Sequence, residues 1–377
     1  MAGQIIKRGD RTWLVRVFLG RDEKGKQLFH RKTIHGTKKD AETYRNKVAR
    51  DRDMGTFIEA AVLPLKDYLD KWLKTAARPR LRERTYEGYS DLLKRYVRPV
   101  LGDKRLCDIR PLDVQNLYSD MTARGLSART VRYTHAILSS AFKQAKKWHM
   151  LIYNPCEAVD LPRAERREMK ALTPEEAESF LKAAKENEQG VIFVFALATG
   201  MRPEEFLGLK WSDLDLQQCT AVVRRVLVWR KGGGWYFGEP KTSRSRRTVS
   251  LPSTLVRMLT AHRSKQMEAR LKAGAAYQNN DLLFATVEGT PHNSRNLAQR
   301  HLVAILKNAG LPLDFRLYDL RHSCATLLLV AGENPKVVSE RLGHASVVLT
   351  LDTYSHVLPS MQQAATEKLE TLLFKRA

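Results

Sequence analysis

"RLGHASVVLTLDTYSH", residues 341–356, places a histidine, an apolar stretch and a tyrosine near the C-terminal end of the chain. Tyr354 stands among polar neighbours, with Asp352 and Thr353 before it and two polar residues after it. A tyrosine close to a helix is usually a packing residue, so this setting raises the question of whether Tyr354 carries chemistry. His344 precedes it by ten positions and is a candidate for the same site.

The overall charge of the chain points to a polyanionic partner. The 377 residues include 65 Lys+Arg and 41 Asp+Glu, which gives a formal net charge of +24. A surplus of this size favours nucleic acid as the partner. The length allows two or three domains of about 100–200 residues each.

Membrane, secreted and metal-dependent classes fit the sequence poorly. The longest apolar run, Val191–Ala198, is shorter than the roughly 20 residues that span a bilayer, and "MAGQIIKRGD" lacks the apolar region of a secretory signal. We therefore expect a cytoplasmic protein without a membrane partner. The four cysteines are far apart and lack metal-ligand spacing, which predicts reduced thiols, no metal site and no cofactor.

The pattern of elements predicts a mainly α protein with small β elements, an α+β class, in three domains. Residues 1–58 contain the alternating segments "RTWLVRVFLG" and "KQLFHRKTIHG" and then a helix from about Lys38, so we predict a three-stranded sheet plus a helix. The basic and aromatic side chains of the strands suit entry into a DNA groove. The side chains concerned are Trp13, Arg16, Arg31 and Lys32. The alternative is that they form a solvated basic face without a DNA contact.

Residues 62–162 have the periodicity of a four-helix domain. Leu65, Tyr68, Leu69, Trp72 and Leu73 follow the spacing of one helix face. The second helix is predicted to stop at Pro99 and Gly102, and basic residues near the helix ends suit phosphate contacts.

A linker rich in Pro and charged residues separates this domain from residues 170–377, with the boundary near residues 160–172. Thr173 is the predicted start signal of the next helix. The third domain is predicted to be mostly helical with a β insert, in which the glycines at 232–234 form a hairpin turn.

Three basic residues of the third domain suit one reaction. Arg202 follows a glycine turn, Lys241 lies at the tip or edge of the hairpin region, and Arg321 lies early in an apolar helix. Metal-free cleavage of a phosphodiester needs a nucleophile, neutralisation of the non-bridging oxygens and a proton for the leaving oxygen. Arginines suit the second task, a lysine the third, and a tyrosine the first.

The motifs "TGMRPEE", "PKTSRSRRT", "YDLRHS" and "LGH", with a tyrosine ten positions after that histidine, resemble the tyrosine recombinase (phage integrase) family. The resemblance implies that Tyr354 attacks the scissile phosphate and stays on the 3′ end. It also implies that Arg202 and Arg321 clamp the phosphate, Lys241 is the general acid and His344 donates a hydrogen bond. Glu205 would be a supporting residue.

The same resemblance implies the domain roles and the partners. Residues 1–58 resemble the arm-binding domain of lambda-type integrases, and 62–162 resemble the helical core-binding (SAM-like) domain. The implied partners are double-stranded DNA attachment sites of core and arm type, a homotetramer in the synaptic complex, and a host DNA-bending protein or an excisionase. The implied location is the bacterial cytoplasm, associated with the nucleoid, and the implied reaction is integration or excision of a phage or mobile element.

The chain departs from the family at one site position. Tyr318 stands three residues before Arg321, where the family usually has a histidine. A phenol can still donate a hydrogen bond to phosphate, so we include Tyr318 in the predicted site. His322 follows Tyr318 by four residues and shares its face if both are helical; we assign it a structural role, with substitution for the missing histidine as the alternative.

The C-terminal tail carries Leu358, Met361, Leu369, Leu372 and Leu373 near helical spacing. This helix packs either on a neighbouring protomer or on its own domain, and the sequence leaves both open.

Three rival functions remain. A type IB topoisomerase shares the chemistry but relaxes supercoils, and the separate helical and N-terminal domains argue against it. A non-catalytic DNA-binding regulator does not need the catalytic set, and a metal-dependent transposase needs a carboxylate cluster that the sequence does not suggest.

Overall fold

The computed structural model describes residues 3–21, 25, 27–53, 63–164, 169–240, 243–354 and 361–374. The chain divides into two compact units, Met1–Arg166 and Arg167–Ala377. Most of the described residues are helical and the sheets are small and antiparallel, so the predicted α+β class is confirmed.

The first unit begins with the predicted three-stranded sheet and helix. The strands pair antiparallel in the order β1-β2-β3, and the helix covers one face, with Ala41 and Val48 packed in the same cluster as Val15 and Val17. Thr37 starts the helix as predicted, because its Oγ1 accepts a hydrogen bond from the Asp40 backbone N–H. The elements are β1 Gln4–Gly9, β2 Thr12–Arg21, β3 Gln27–His35 and α1 Lys38–Asp53.

The remainder of the first unit is a helical bundle with its own core. The predicted apolar face from Leu65 to Leu73 is buried, and the Tyr68 hydroxyl donates to the Ala141 carbonyl at 2.6 Å. The helices are α2 Leu65–Trp72 with a π turn Leu73–Ala77, α3 Glu83–Leu92 with a π turn Leu93–Val97, α4 Arg98–Leu101, α5 Pro111–Ala123 and α6 Ala128–Lys147. Short 3-10 turns occupy Leu106–Asp108 and Pro155–Ala158.

The predicted stop at Pro99 is wrong, because the helical path continues to Leu101. Pro99 lies in the first turn of α4, just after a π turn, where a backbone N–H is not needed for the intrahelical ladder. The chain leaves the helix at Gly102, as expected.

The second unit is built around α8, whose nearly all-apolar sequence "GVIFVFALAT" is buried between other helices. Thr173 caps α7 in a reciprocal arrangement with Glu176, as the start signal predicted. The helices are α7 Pro174–Lys185, α8 Gly190–Thr199, α9 Pro203–Phe206, α10 Ser253–Ala273, α11 Ser294–Leu297 with a π turn Ala298–Leu302, α12 Val303–Asn308, α13 Asp319–Val330, α14 Pro335–Leu342, α15 Val347–Tyr354 and α16 Met361–Phe374.

Two small sheets form the β insert of this unit. One has the order β4-β5-β8, and the other is the hairpin β6-β7, whose register pairs Trp229 with Trp235 across the predicted glycine turn. The strands are β4 Leu214–Asp215, β5 Thr220–Val223, β6 Val226–Trp229, β7 Trp235–Gly238 and β8 Arg247–Ser250. Short 3-10 turns occupy Trp211–Asp213, Ser243–Ser245 and Gly274–Ala276.

The tail forms α16, in agreement with the predicted helical spacing. Leu369 and Leu373 are 55% and 60% exposed, so these two side chains do not pack on their own domain. Leu358 lies outside the described residues. Within the described ranges, none of the helices has both the length and the apolar character that crossing a membrane requires.

Candidate active site

Arg202 is placed by a tight exit from α8. Gly200 has the left-handed φ of 64°, and a Cβ there would come within 2.7 Å of the Leu342 side chain, so this turn favours a glycine. Arg202 then occupies the N-cap of α9. Its backbone N–H and its Nη1 donate to the two carboxylate oxygens of Glu205 at 2.9 and 2.7 Å.

Arg321 lies in the first turn of α13 and is almost completely buried, at 1% exposure. Its Nη1 donates to the Gly200 carbonyl at 2.8 Å, whereas its Nη2 is buried without a hydrogen-bond partner among the described residues. Burial, followed by repulsion from Arg202, lowers the pKa of Arg321 to about 10, so the guanidinium is still charged at neutral pH. A buried N–H donor without a partner is uncommon and calls for an explanation such as an anion.

Glu205 and Arg247 form a buried ion pair that supports Arg202. The Arg247 Nη2 donates to Glu205 Oε2 at 2.9 Å, and its Nε donates to the Arg341 carbonyl at 2.6 Å. Burial alone would raise the pKa of Glu205, but its hydrogen bond and charge interaction with Arg247, together with Arg202, lower it below the ordinary value. The carboxylate therefore stays charged and holds the Arg202 guanidinium in place.

His344 follows Gly343, which ends α14 in the left-handed conformation with a φ of 67°. Its Nδ1 lies 2.8 Å from the Thr350 hydroxyl. Burial and then the positive charges of Arg321 and Arg202 lower the pKa of His344 to about 4, so the ring is neutral near pH 7. A neutral imidazole bound through Nδ1 keeps Nε2 for a second polar partner.

Tyr354 is the last residue of α15 and is buried, at 2% exposure. Its hydroxyl lies 2.7 Å from Nδ1 of His322, and its ring belongs to a small apolar cluster with residues of α13 and α14 such as Leu329 and Leu342. Burial raises the pKa of the Tyr354 phenol, and the nearby Arg321 partly opposes this rise. Tyr354 is therefore turned inward in this conformation, whereas Asp352, two residues before it, is exposed.

Tyr318 interacts with Arg202 and also contacts the ring of His322. Its side chain is 39% exposed, and its ring centroid is 5.3 Å from that of His322. Burial lowers the pKa of Arg202, but the charge and hydrogen-bond interactions with Glu205 and then Tyr318 outweigh it and raise the pKa. The structure thus brings five predicted site residues together: Arg202, Tyr318, Arg321, His344 and Tyr354.

Lys241, the sixth predicted site residue, lies outside the described residues. The segment just after it is tied to the His344 region, because the Arg244 side chain donates to the Ala345 carbonyl and Arg247 donates to the Arg341 carbonyl. Over the described part of the chain, no group of three or more His, Cys, Asp or Glu side chains has an arrangement that could hold a metal ion.

Two contributors to the site were not found from the sequence. Thr350, which bonds His344, is fully buried inside a stretch that reads as apolar. The position of Arg247 could have been inferred from the sequence, because it lies two residues before the buried Val249 on β8. Alternate residues of a strand share a face, so Arg247 lies on the inward face, where an arginine needs a partner.

Solved structures share this fold. The Tn1549 transposon integrase (residues 82–397) in complex with a circular intermediate DNA superposes with a TM-score of 0.69 at 22% identity, covering 81% of this chain and 99% of that one. A lambda integrase tetramer bound to a Holliday junction superposes with a TM-score of 0.54 at 18% identity, covering 93% and 94%. These likenesses concern the fold alone.

Sequence comparison identifies the family. A "Tyrosine recombinase XerC-like" protein of Caldanaerobacter subterraneus subsp. tengcongensis is 31% identical over 97% of this chain and 98% of its own length. The ICEBs1 integrase of Bacillus subtilis is 28% identical over 76% of this chain and 78% of its own length. The profile of the phage integrase N-terminal SAM-like domain matches residues 65–122, and that of the phage integrase family matches residues 170–361. The chain therefore belongs to the phage integrase family of tyrosine recombinases.

Proposed function

We propose that this recombinase cuts and rejoins double-stranded DNA at specific attachment sites, and thereby integrates or excises a phage or another mobile element. Relatives named as integrases of a phage, a prophage and an integrative element support this activity. The net charge of +24 suits a polyanionic substrate.

In the proposed reaction, Tyr354 Oη attacks the scissile phosphorus and the bond to the 5′ oxygen breaks, which leaves the 3′ phosphate on the tyrosine. Arg202 and Arg321 neutralise the non-bridging oxygens, and His344 donates a hydrogen bond to one of them. Lys241 gives the leaving 5′ oxygen its proton. The 5′ hydroxyl of the other strand then attacks the phosphorus of the phosphotyrosine and releases Tyr354. Because one phosphate ester bond replaces another, no external energy source is required.

One observation carries this assignment. The Arg321 Nη2 is a buried cationic donor without a partner among the described residues, and the Tyr354 phenol lies close enough for Arg321 to lower its pKa. A charged donor of this kind is strongly stabilised by a phosphate oxygen, because charge-assisted hydrogen bonds are about twice as strong as neutral ones. An anion bound there lies beside the nucleophile.

We also propose a role for each of the three domains. Residues 1–58 bind arm-type DNA, 62–162 bind core-type DNA and 170–377 carry out catalysis. The N-terminal sheet presents cationic groups stacked on aromatic rings, with Arg16 at 3.7 Å from the Phe29 ring centroid and Lys32 at 4.9 Å from that of Tyr44. Such groups suit backbone contacts to DNA.

The proposed assembly is a homotetramer on two attachment sites, with a host DNA-bending protein or an excisionase as accessory partners, in the bacterial cytoplasm at the nucleoid. The exposed leucines of α16 support contact between protomers, since Leu369 and Leu373 are not covered by their own domain.

A nicked DNA substrate that traps the covalent intermediate tests the function. We expect Tyr354→Phe to bind this DNA as the parent does and to form no band of protein-linked DNA on a denaturing gel. A covalent band of parental intensity from the variant would exclude Tyr354 as the nucleophile. A two-site assay separates recombination from the rival topoisomerase activity, because a topoisomerase gives relaxed circles without recombinant joints.

A further inference from the structure

We propose that His322 is a catalytic residue: its Nδ1 accepts the phenolic proton of Tyr354 while Oη attacks the phosphodiester. This inference rests on the proposed function and adds a proton acceptor to it. It replaces the structural role that the sequence suggested for this histidine.

The geometry singles out His322. Its Nδ1 lies 2.7 Å from Tyr354 Oη, within the distance required of a general base, and the ring centroids are 5.8 Å apart. In the neutral tautomer with the proton on Nε2, Nδ1 is the acceptor and the phenol is the donor. No other histidine of the described residues has a hydrogen bond to Tyr354.

The two nearest alternatives are engaged elsewhere. The Nδ1 of His344 is bonded to Thr350 at 2.8 Å. Tyr318 interacts with the Arg202 guanidinium, on the side of the clamp, and a neutral phenol is a far weaker proton acceptor than an imidazole. Tyr318 also packs against the His322 ring, with a distance of 5.3 Å between the ring centroids.

The surrounding charges control when the proton moves. Burial lowers the pKa of His322 to about 4; the Asp319 carboxylate opposes this, whereas Arg321 and Arg316 add to it. The free ring is therefore neutral near pH 7, so Nδ1 is open to a proton, although the same burial makes the ring a weaker base than a free imidazole. A phosphodiester on Arg321 cancels one of the cations that disfavour the imidazolium.

The proton balance is complete without any additional reactant. As the bond from Oη to phosphorus forms, the phenolic oxygen becomes strongly acidic and its proton passes to Nδ1 of His322. The bond from phosphorus to the 5′ oxygen breaks, and that oxygen takes its proton from Lys241. In rejoining, the imidazolium returns the proton to Tyr354 and the 5′ hydroxyl returns its own to Lys241.

His322→Asn tests the proposal in the full chain, because an asparagine oxygen can replace Nδ1 as a hydrogen-bond acceptor but is not a base. At pH 7 we expect the rate of covalent-complex formation to fall about 10²- to 10⁴-fold with DNA binding unchanged. The remaining rate should rise about tenfold per pH unit as hydroxide takes over, whereas the parental rate is flat between about pH 6 and 8. The matched control is His301→Asn, a half-buried histidine of the same unit, which should keep the parental rate and profile.

A substrate with sulfur in place of the leaving 5′ oxygen separates the base from the acid, because the sulfur needs no proton. It should restore Lys241→Ala and leave His322→Asn slow. A rate for His322→Asn within threefold of the parent at pH 7, or its restoration by the sulfur substrate, would overturn the role of His322. If that variant does not fold, His322→Gln decides: it should show the same hydroxide-dependent profile, and a flat profile at the parental rate would overturn the role of His322. Absence of a covalent complex with the parent itself would instead contradict the proposed function.

Discussion

Removal of the Arg247 side chain should loosen the core that holds the arginine clamp. Arg247 is 7% exposed and its partner Glu205 is 1% exposed, so solvent screens this pair very little. Arg247→Met keeps the apolar stem of the side chain but removes hydrogen bonds to Glu205, the Arg341 carbonyl and the Ser245 carbonyl. The loss leaves a buried carboxylate with a single cationic partner, Arg202.

The expected cost follows from this geometry. Removal of one partner from a buried ion pair destabilises a protein by about 3–5 kcal/mol. Because Glu205 keeps its hydrogen bonds to Arg202, we expect the lower end, about 3 kcal/mol. This corresponds to roughly a 100-fold rise in the equilibrium constant for local opening of this core, since 1.36 kcal/mol is a factor of ten.

Hydrogen exchange in the full chain measures this opening, in peptides from α8 and α13. The matched control is Arg246→Met, one residue earlier, whose ion pair with Glu239 is 60% and 84% exposed and should contribute less than about 0.5 kcal/mol. Glu205→Gln combined with Arg247→Met should cost less than the sum of the two single changes, because they remove the same contact. Equal protection in Arg247→Met and Arg246→Met would refute the reasoning.

The same variant should change the pH dependence of stability. The folded-state pKa of Glu205 is lowered, chiefly by Arg247 acting against burial. A carboxyl with a depressed pKa stabilises the fold above its unfolded value, about 4.3, and loses this contribution as the pH falls through the folded value. Without Arg247 the folded pKa rises, so exchange in α8 and α13 should accelerate at a higher pH than in the parent.

Two further predictions concern the clamp turn and the N-terminal domain. Gly200→Ala should destabilise the chain more than Gly310→Ala in thermal unfolding. Both glycines have a left-handed φ (64° and 67°), which alone costs an alanine about 1–2 kcal/mol, but of the two only Gly200 has other atoms near the added Cβ, with Leu342 at 2.7 Å. Equal losses of stability in the two variants would exclude the steric contribution. Deletion of residues 1–58 should preserve cleavage of a short core site and abolish recombination that depends on flanking arm sites. Binding of the truncated protein to long DNA should also depend less steeply on salt concentration. Full recombination by the truncated protein on natural attachment DNA would refute the arm-binding role.

Features that depend on neighbours along the chain were predictable from the sequence. The start signals Thr37 and Thr173 and the apolar face from Leu65 to Leu73 depend on contacts within a few residues, and the structure confirms all three. The hairpin across the glycines at 232–234 is equally local. Pro99 is the exception, because a proline is compatible with a helix whenever it falls in a first turn, and the preceding π turn creates one.

The partners of buried polar groups were not predictable, because they are distant in sequence. Arg321 bonds a carbonyl 121 positions away, and Arg247 bonds one 94 positions away. The alternation of β8 can place Arg247 on the inward face, but no local pattern identifies the distant partner of either arginine. His322 illustrates the consequence: its spacing from Tyr318 suggested a shared helix face, but its contact with Tyr354, 32 positions away, is what favours a catalytic role over a structural one.

The proposed attack of Tyr354 on DNA starts from a buried position at the end of α15. This helix buries the hydroxyl residues Thr350 and Tyr354 and leaves Val348, Leu349 and Leu351 between 39% and 54% exposed, which reverses the usual burial of an amphipathic helix. Its inward contacts therefore depend on the hydrogen bonds to His344 and His322, each worth about 1 kcal/mol net, and on the packing of one aromatic ring. Attack requires phosphorus within about 3–3.5 Å of the phenolic oxygen, and a phosphodiester on Arg202 and Arg321 favours movement of α15 only through contacts that it gains when Tyr354 comes close. In the proposed reaction, α15 therefore has to approach the bound phosphate with the contact between Tyr354 Oη and His322 Nδ1 kept, because the proton transfer depends on that contact.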